Sequence, residues 1–301
     1  MMAAGVTGPA AAMRLAPADQ SAAAISLAGL WSYAVEQNYG FVEPLQPGPG
    51  NYNTPTVMSN GMIAPLVPFA LRGAIWYQGE SDAYRARLYR RLLPVLIHDW
   101  RRRWGREFSF LFVQIAGYMA HRDEPGDSQW AEVREAQAMA LDLPNTGMAV
   151  AFDLGDADDL HPKNKQEVGR RLALNALALT YGLKDVVYSG PIFEEAIQEG
   201  PRWRIRFRHA ESGLTTQDGG PVKGFAMAGE DRRFHWAEAV IAPSTSSGQA
   251  ADVVVTCAVV AQPVAVRYGW ANNPDCNLLN VAGLPAAPFR IDDWCSKEPI
   301  V

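Results

Sequence analysis

Between residues 83 and 104 apolar side chains recur every three to four positions, with Leu88, Leu92, Leu96 and Trp100 aligned. That spacing predicts an amphipathic helix. Ser81 and Asp82 stand before it as N-cap candidates, and Pro94 should kink it. Upstream, the short apolar run 74–77 ends in Gln78-Gly79, as a buried strand does on reaching a turn. Two further apolar runs, 108–115 and 148–152, alternate with helical patterns over 130–141 and 163–181. Strand, helix, strand, helix, strand, helix predicts an α/β fold with a parallel sheet and helices on its faces.

The texture changes after residue 186. Short alternating runs at 203–207, 234–241, 253–258 and 264–268 are separated by Gly, Pro and Asp, which predicts antiparallel β-structure packed on the first unit. Residues 243–250, PSTSSGQA, read as a loop between two of these strands. Toward the start, Leu27, Leu30 and Trp31 suggest a helix over 21–35, and the Pro/Gly/Asn run 44–55 a loop. Two domains are expected: an α/β domain over 1–185, whose first 50 residues fit the pattern poorly, and a β-rich domain over 186–301.

The chain has 301 residues, 48% hydrophobic and 20% charged, with a net charge of −5. That is an ordinary globular composition. The acidic balance argues against nucleic acid as a partner, since phosphate binding needs a basic face. The dense basic run from Arg85 to Arg103 reads as the solvated side of a helix. Three cysteines, Cys257, Cys276 and Cys295, show neither CxxC nor His/Cys ligand spacing, so no metal site or disulfide framework is expected. No apolar window is long enough to span a membrane. The Ala-rich stretch 1–30 has no basic leader and is not expected to be a secretory signal. None of this assigns a compartment.

Two segments at predicted C-terminal strand ends could carry chemistry, which is where open α/β sheets place their sites. In Trp76-Tyr-Gln-Gly-Glu-Ser-Asp-Ala83, the residues Gln78, Gly79, Glu80 and Ser81 sit at a strand-to-helix turn, where side chains and helix N–H groups can face an oxyanion. The plainer alternative is that Ser81 and Asp82 only cap the helix. In Asp153-Leu-Gly-Asp-Ala-Asp-Asp-Leu-His-Pro162, His161 has Asp158 and Asp159 within three residues. A general-base histidine needs such a partner at its second ring nitrogen. A calcium loop or an acid-decorated helix start is the alternative. His98, His121, His209 and His235 read as surface or packing residues.

Longer stretches carry a resemblance. SNGMIAPLVPFALRGAIWYQGESDA (59–83), DWRRRWG (99–105), FLFVQIAGY (110–118), WAEVREAQ (130–137), DLHPKNKQEVGRRLAL (159–174), VVYSGP (186–191) and AVRYGWANNPDCNLLNVAGLPAAPFRIDDW (265–294) resemble the sialate O-acetylesterase family of SGNH hydrolases. The resemblance implies a flavodoxin-like three-layer core and hydrolysis of acetyl esters on sialic acids or other acetylated sugars. It implies Ser and His chemistry without metal or organic cofactor. It also implies His161 as general base, Asp158 or Asp159 as its orienting carboxylate, and Gln78, Gly79 and Glu80 beside the oxyanion.

One departure is plain. The family's nucleophile lies in a Gly-Gln-Ser-Asn motif upstream of the WYQGES block, and residues 1–60 contain no such string. Asp19-Gln20-Ser21 is the nearest, followed by alanines, and Gly5 to Gly8 is at best a remnant of the second oxyanion segment. Three expectations follow. Ser81 serves as substitute nucleophile; or a truncated relative binds acetylated sugars without cleaving them; or a homo-oligomer covers the open sheet edge.

Overall fold

The structure, a computed structural model, describes residues 14–15, 25–26, 57–245 and 251–294. The chain divides into two compact units, 1–65 and 66–301. In the first, Arg14–Leu15 (β1) pairs antiparallel with Ile25–Ser26 (β2), and Ser59–Ile63 form a wide helical turn. The helix expected over 21–35 is therefore contradicted at Ile25–Ser26, where β-branched Ile25 favours extended backbone. The rest of that stretch and the loop 44–55 lie outside the described residues, as do Asp19-Gln20-Ser21 and Gly5 to Gly8.

The second unit starts with a parallel sheet of order β3-β4-β5, from Gly73–Trp76 (β3), Ser109–Gln114 (β4) and Thr146–Val150 (β5). Its helices are Ala86–Trp104 (α1), Gln129–Met139 (α2) and Lys165–Asn175 (α3). Every residue of β4 is buried, as expected of a parallel strand covered on both faces. Phe110, Phe112, Met148 and Val150 share a core with Tyr89, Leu93 and Ile97 of α1 and Val133 and Ala136 of α2. On the other face, Leu111, Val113 and Ala149 pack with Val168 and Leu172 of α3.

Helix α1 corrects three expectations. Its buried stripe is Ala86, Tyr89, Leu93, Ile97 and Arg101, while Leu88 and Leu92 are 46% and 40% exposed. A leucine-rich helix offers two adjacent stripes; the Tyr89 hydroxyl, bonded to Gln78 Oε1 at 2.9 Å, belongs to the one that faces the sheet. Ser81 and Asp82 do not cap it. A 3-10 turn over Glu80–Arg85 intervenes, and the Asp82 carboxylate accepts instead from Gln78 Nε2 (2.7 Å) and Arg85 Nε (2.6 Å). Arg101 leaves the solvated basic face: it is buried and donates to the carbonyls of Phe108, Pro144 and Asn145. The helix runs through Pro94 and stops at left-handed Gly105, whose N–H returns to the Arg101 and Arg102 carbonyls. Ser128 Oγ and Asn164 Oδ1 cap α2 and α3 by accepting from Ala131 and Glu167 N–H groups.

The β-rich region is a sandwich. One sheet has the order Glu238–Pro243 (β11), Ala251–Thr256 (β12), Arg202–Arg208 (β7), Ile192–Glu199 (β6). The other runs Phe234–Trp236 (β10), Phe225–Ala228 (β9), Ala265–Tyr268 (β13), Phe289–Arg290 (β15). Leu214–Thr216 (β8) and Leu278–Asn280 (β14) pair beside them. Ile205, Phe207, Val253 and Val255 from one sheet meet Met227, Val266, Tyr268 and Phe289 from the other in a single core. The run 234–241 thus splits at Ala237 between two sheets. Cys257 and Cys276 are free thiols, and burial pushes the Cys276 pKa up to about 12. Among the described residues no helix is long and apolar enough to cross a membrane.

Candidate active site

The ends of β3 and β5 lead into the two segments singled out by sequence, and the structure brings them together. Tyr77, Gln78, Glu80, Ser81, Tyr118, Trp130, Leu160, His161, Pro162 and Lys165 line one cavity of about 470 Å³.

Gly79 sets the turn that carries the first wall, Tyr77, Gln78, Glu80 and Ser81. Its φ of +153° is a conformation that side chains rarely adopt, and a Cβ there would lie 3.0 Å from Gln137 Nε2 and Ile115 Cγ2. Only glycine lets the chain turn from β3 into the Glu80–Arg85 helical turn so close to α2. The backbone N–H groups of Glu80 and Ser81 open that turn and, like those at any helix start, have no acceptor within it. Gln78 is clamped: its carbonyl accepts from Gln137 Nε2 (3.0 Å), its Oε1 from Tyr89, and its Nε2 donates to Asp82. Tyr77 lies below Lys165, whose Nζ is 4.9 Å from the ring centroid. Burial, with nearby Glu80, raises the Tyr77 pKa to about 12, so its hydroxyl stays protonated.

The second wall is the loop after β5. Gly117 and Gly155 let this loop cross the one after β4, since a Cβ on Gly155 would sit 2.1 Å from the Gly117 carbonyl oxygen. Tyr118 and Asp156 then pair as a parallel bridge. Arg171 of α3 anchors the loop's start through a bidentate pair with Asp153 at 2.6 Å and also binds Glu167. Asp156 is engaged by Lys163 at 2.9 Å. These acids are neutralised by cations of their own loop and helix.

At the rim, His161 Nδ1 lies 3.2 Å from Asp159 Oδ1, which also accepts the His161 backbone N–H at 2.9 Å. Those bonds hold the Asp159 pKa below the usual carboxylate range, the backbone N–H contributing most. Asp158 makes no hydrogen bond to His161 among the described residues; its own N–H donates to Asp156. Ser81 is exposed in the same cavity, and no hydrogen bond joins it to His161 among the described residues.

Sequence reasoning did not single out the supports. Arg134 and Gln137, three residues apart on α2, both turn inward. Arg134, fully buried, donates to the carbonyls of Ile115, Ala116, Ala271 and Asn272, tying the end of β4 to the loop before β14. Burial lowers its pKa to about 9. Gln137 bonds Gln78, Val113 and Ile115. Two polar residues at helical spacing within an otherwise apolar face were the available signal.

Residues 54–178 match the family described as carbohydrate esterase, sialic acid-specific acetylesterase. Mouse sialate O-acetylesterase is 33% identical over 260 residues, 78% of this chain and 47% of that protein. The human protein of the same name is 30% identical over 266 residues, covering 80% and 49%. A solved carbohydrate acetylesterase from Xanthomonas citri superposes with a TM-score of 0.74 at 45% identity, over 80% of this chain and 55% of that one. The chain spans about half the length of the curated relatives it matches.

Proposed function

The chain belongs to the sialate O-acetylesterase family of carbohydrate esterases, and we propose that it hydrolyses O-acetyl esters of sialic acid or related acetylated sugars by Ser-His acyl transfer. The observation that carries this reading is the single cavity shared by His161 and the 78–81 block, with Asp159 held against the histidine's Nδ1.

In this reading Asp159 fixes the tautomer in which His161 carries its proton on Nδ1, leaving Nε2 as base. Ser81 Oγ attacks the acetyl carbonyl carbon and gives its proton to His161 Nε2. The N–H groups of Glu80 and Ser81, at the start of their helical turn, would donate to the oxyanion. The carbon–oxygen bond to the sugar then breaks, and His161 returns the proton to the sugar oxygen. Water, deprotonated by His161, cleaves the acetyl-serine and releases acetate. Tyr118 and Trp130 supply the apolar wall against which a sugar face packs.

One observation favours a second reading. With no hydrogen bond between Ser81 and His161, the cavity also suits a binder of acetylated sugars that does not turn them over. The experiment that separates the two follows acetate release from O-acetylated N-acetylneuraminic acid by wild type, Ser81→Ala and His161→Ala. Loss of release in both variants, each still folded, supports the esterase. Absence of release from wild type, with a sugar-dependent rise in Tm, supports the binder.

A further inference from the structure

Among the described residues, Trp236 is the only tryptophan with an exposed side chain, at 47%. Trp76, Trp100, Trp104 and Trp130 are packed against other rings, and Trp270 is held between Arg267 and Arg290. Trp236 has no such ring partner among the described residues, yet it is fixed. Its strand pairs with β9 at Ala226, and its Nε1 donates to the Asp123 carbonyl at 2.7 Å. The indole is thus held by its Nε1 bond while about half of the residue stays exposed, which leaves aromatic surface for a ligand to stack on.

Its surroundings give it a purpose. Cavities of about 670 Å³ and 450 Å³ lie against Trp236 and share it as a wall. A smaller cavity of about 240 Å³ shares Arg122 with the first, Asp127 with the second, and Trp130 with the cavity of His161. All four depressions take part of their lining from residues 118–130, the loop after β4 and the start of α2. That loop is tied to its neighbours: Asn273 Nδ2 donates to the Met119 carbonyl (2.8 Å), Ser128 Oγ to Asn272 Oδ1 (2.7 Å), and Arg267 to Asp127 (3.1 Å). Met119 is held at a φ of +71°, a conformation that only such clamping sustains.

We propose that this line of cavities is an extended sugar groove, in which an oligosaccharide places its acetylated residue beside His161 and stacks a more distant residue on Trp236. The length of the run, its mixture of Arg, Asp and aromatic walls, and a fixed exposed indole at its far end all suit a chain of sugar rings rather than one. A sugar presents an apolar C–H face to the indole and hydroxyls to the charged rim. The proposal rests on the acetylesterase reading for the reacting end, but the Trp236 end stands on its own geometry.

The test is calorimetric binding of unacetylated probes, N-acetylneuraminic acid and the trisaccharide 3′-sialyllactose, to wild type, Trp236→Ala and Trp236→Phe. Wild type should bind the trisaccharide about tenfold more tightly than the monosaccharide. Trp236→Ala should erase that advantage and leave monosaccharide affinity unchanged, and Trp236→Phe should restore most of it. Equal affinities in wild type, or an advantage that persists in Trp236→Ala, would overturn the groove. Because the probes carry no ester, these outcomes are separate from turnover: length-dependent binding without acetate release keeps the groove and sinks the esterase. Turnover without length dependence does the reverse.

Discussion

His161 Nδ1 and Asp159 Oδ1 lie 3.2 Å apart, and the same carboxylate oxygen holds the His161 backbone N–H. One carboxylate therefore orients both the ring and the peptide that carries it. Asp158, three residues before the histidine, makes no hydrogen bond to His161 among the described residues; its backbone N–H donates to Asp156.

Asp159 and Asp158 should accordingly separate in kinetics. Asp159→Asn is expected to lower kcat/KM for an acetyl ester by about 10²-fold, toward the range in which general-base catalysis contributes. Asp158→Asn should leave it unchanged. Steady-state turnover of p-nitrophenyl acetate reads both, and equal losses would remove the assignment of Asp159.

Gly79→Ala tests the turn that aligns the 78–81 block. The forced backbone and the approach to Gln137 and Ile115 should together cost about 1–3 kcal/mol. Urea denaturation gives the stability change. Acetate release should fall in the same variant even at temperatures where it is fully folded.

Arg134→Met removes a buried cation that satisfies four carbonyls. Leaving buried acceptors unpaired costs about 1–3 kcal/mol each before relaxation. A loss of at least about 3 kcal/mol is expected by chemical denaturation. A variant as stable as wild type would mean that the clamp between the end of β4 and the loop before β14 carries no weight.

Glu167 gives the fold a handle in acid. Hydrogen bonds from Arg170 and Arg171 depress its pKa from 4.5 to about 2. A folded-state pKa below the unfolded one means that its stabilisation is full above pH 4.5 and is lost as pH falls toward 2. Melting temperature followed across that window should drop more steeply for wild type than for Glu167→Gln. Parallel curves would contradict the linkage.

Much of this architecture is legible in the residues. The runs at 108–115 and 148–152 appear as β4 and β5 because parallel strands buried on both faces leave continuous apolar stretches. The run 74–77 does give β3, but not the buried strand expected, since β3 ends the order β3-β4-β5 and Ile75 is 70% exposed. The face of α1 was not legible, since Leu88 and Leu92 fit the helical period as well as Tyr89 and Leu93 do. Arg101 was hidden for a related reason: a cation that satisfies carbonyls of other loops looks, in sequence, like its solvated neighbours. Strand β6, IFEEAIQE, lacks clean alternation because of the irregularity between Phe193 and Glu195. The cavity's two motifs were visible as strings, whereas Tyr118, Trp130 and Lys165 reach it only through the fold. Trp236 lies in no motif, and its exposure, its bond to Asp123 and the cavities beside it come only from the fold.

The most direct test of the central claim is labelling of the purified protein with a fluorophosphonate, followed by mass mapping, with p-nitrophenyl acetate turnover measured in parallel. The account expects one labelled residue, Ser81, with turnover falling in proportion to label and labelling lost in His161→Ala. Label on a different serine, or turnover that survives complete labelling of Ser81, would contradict it.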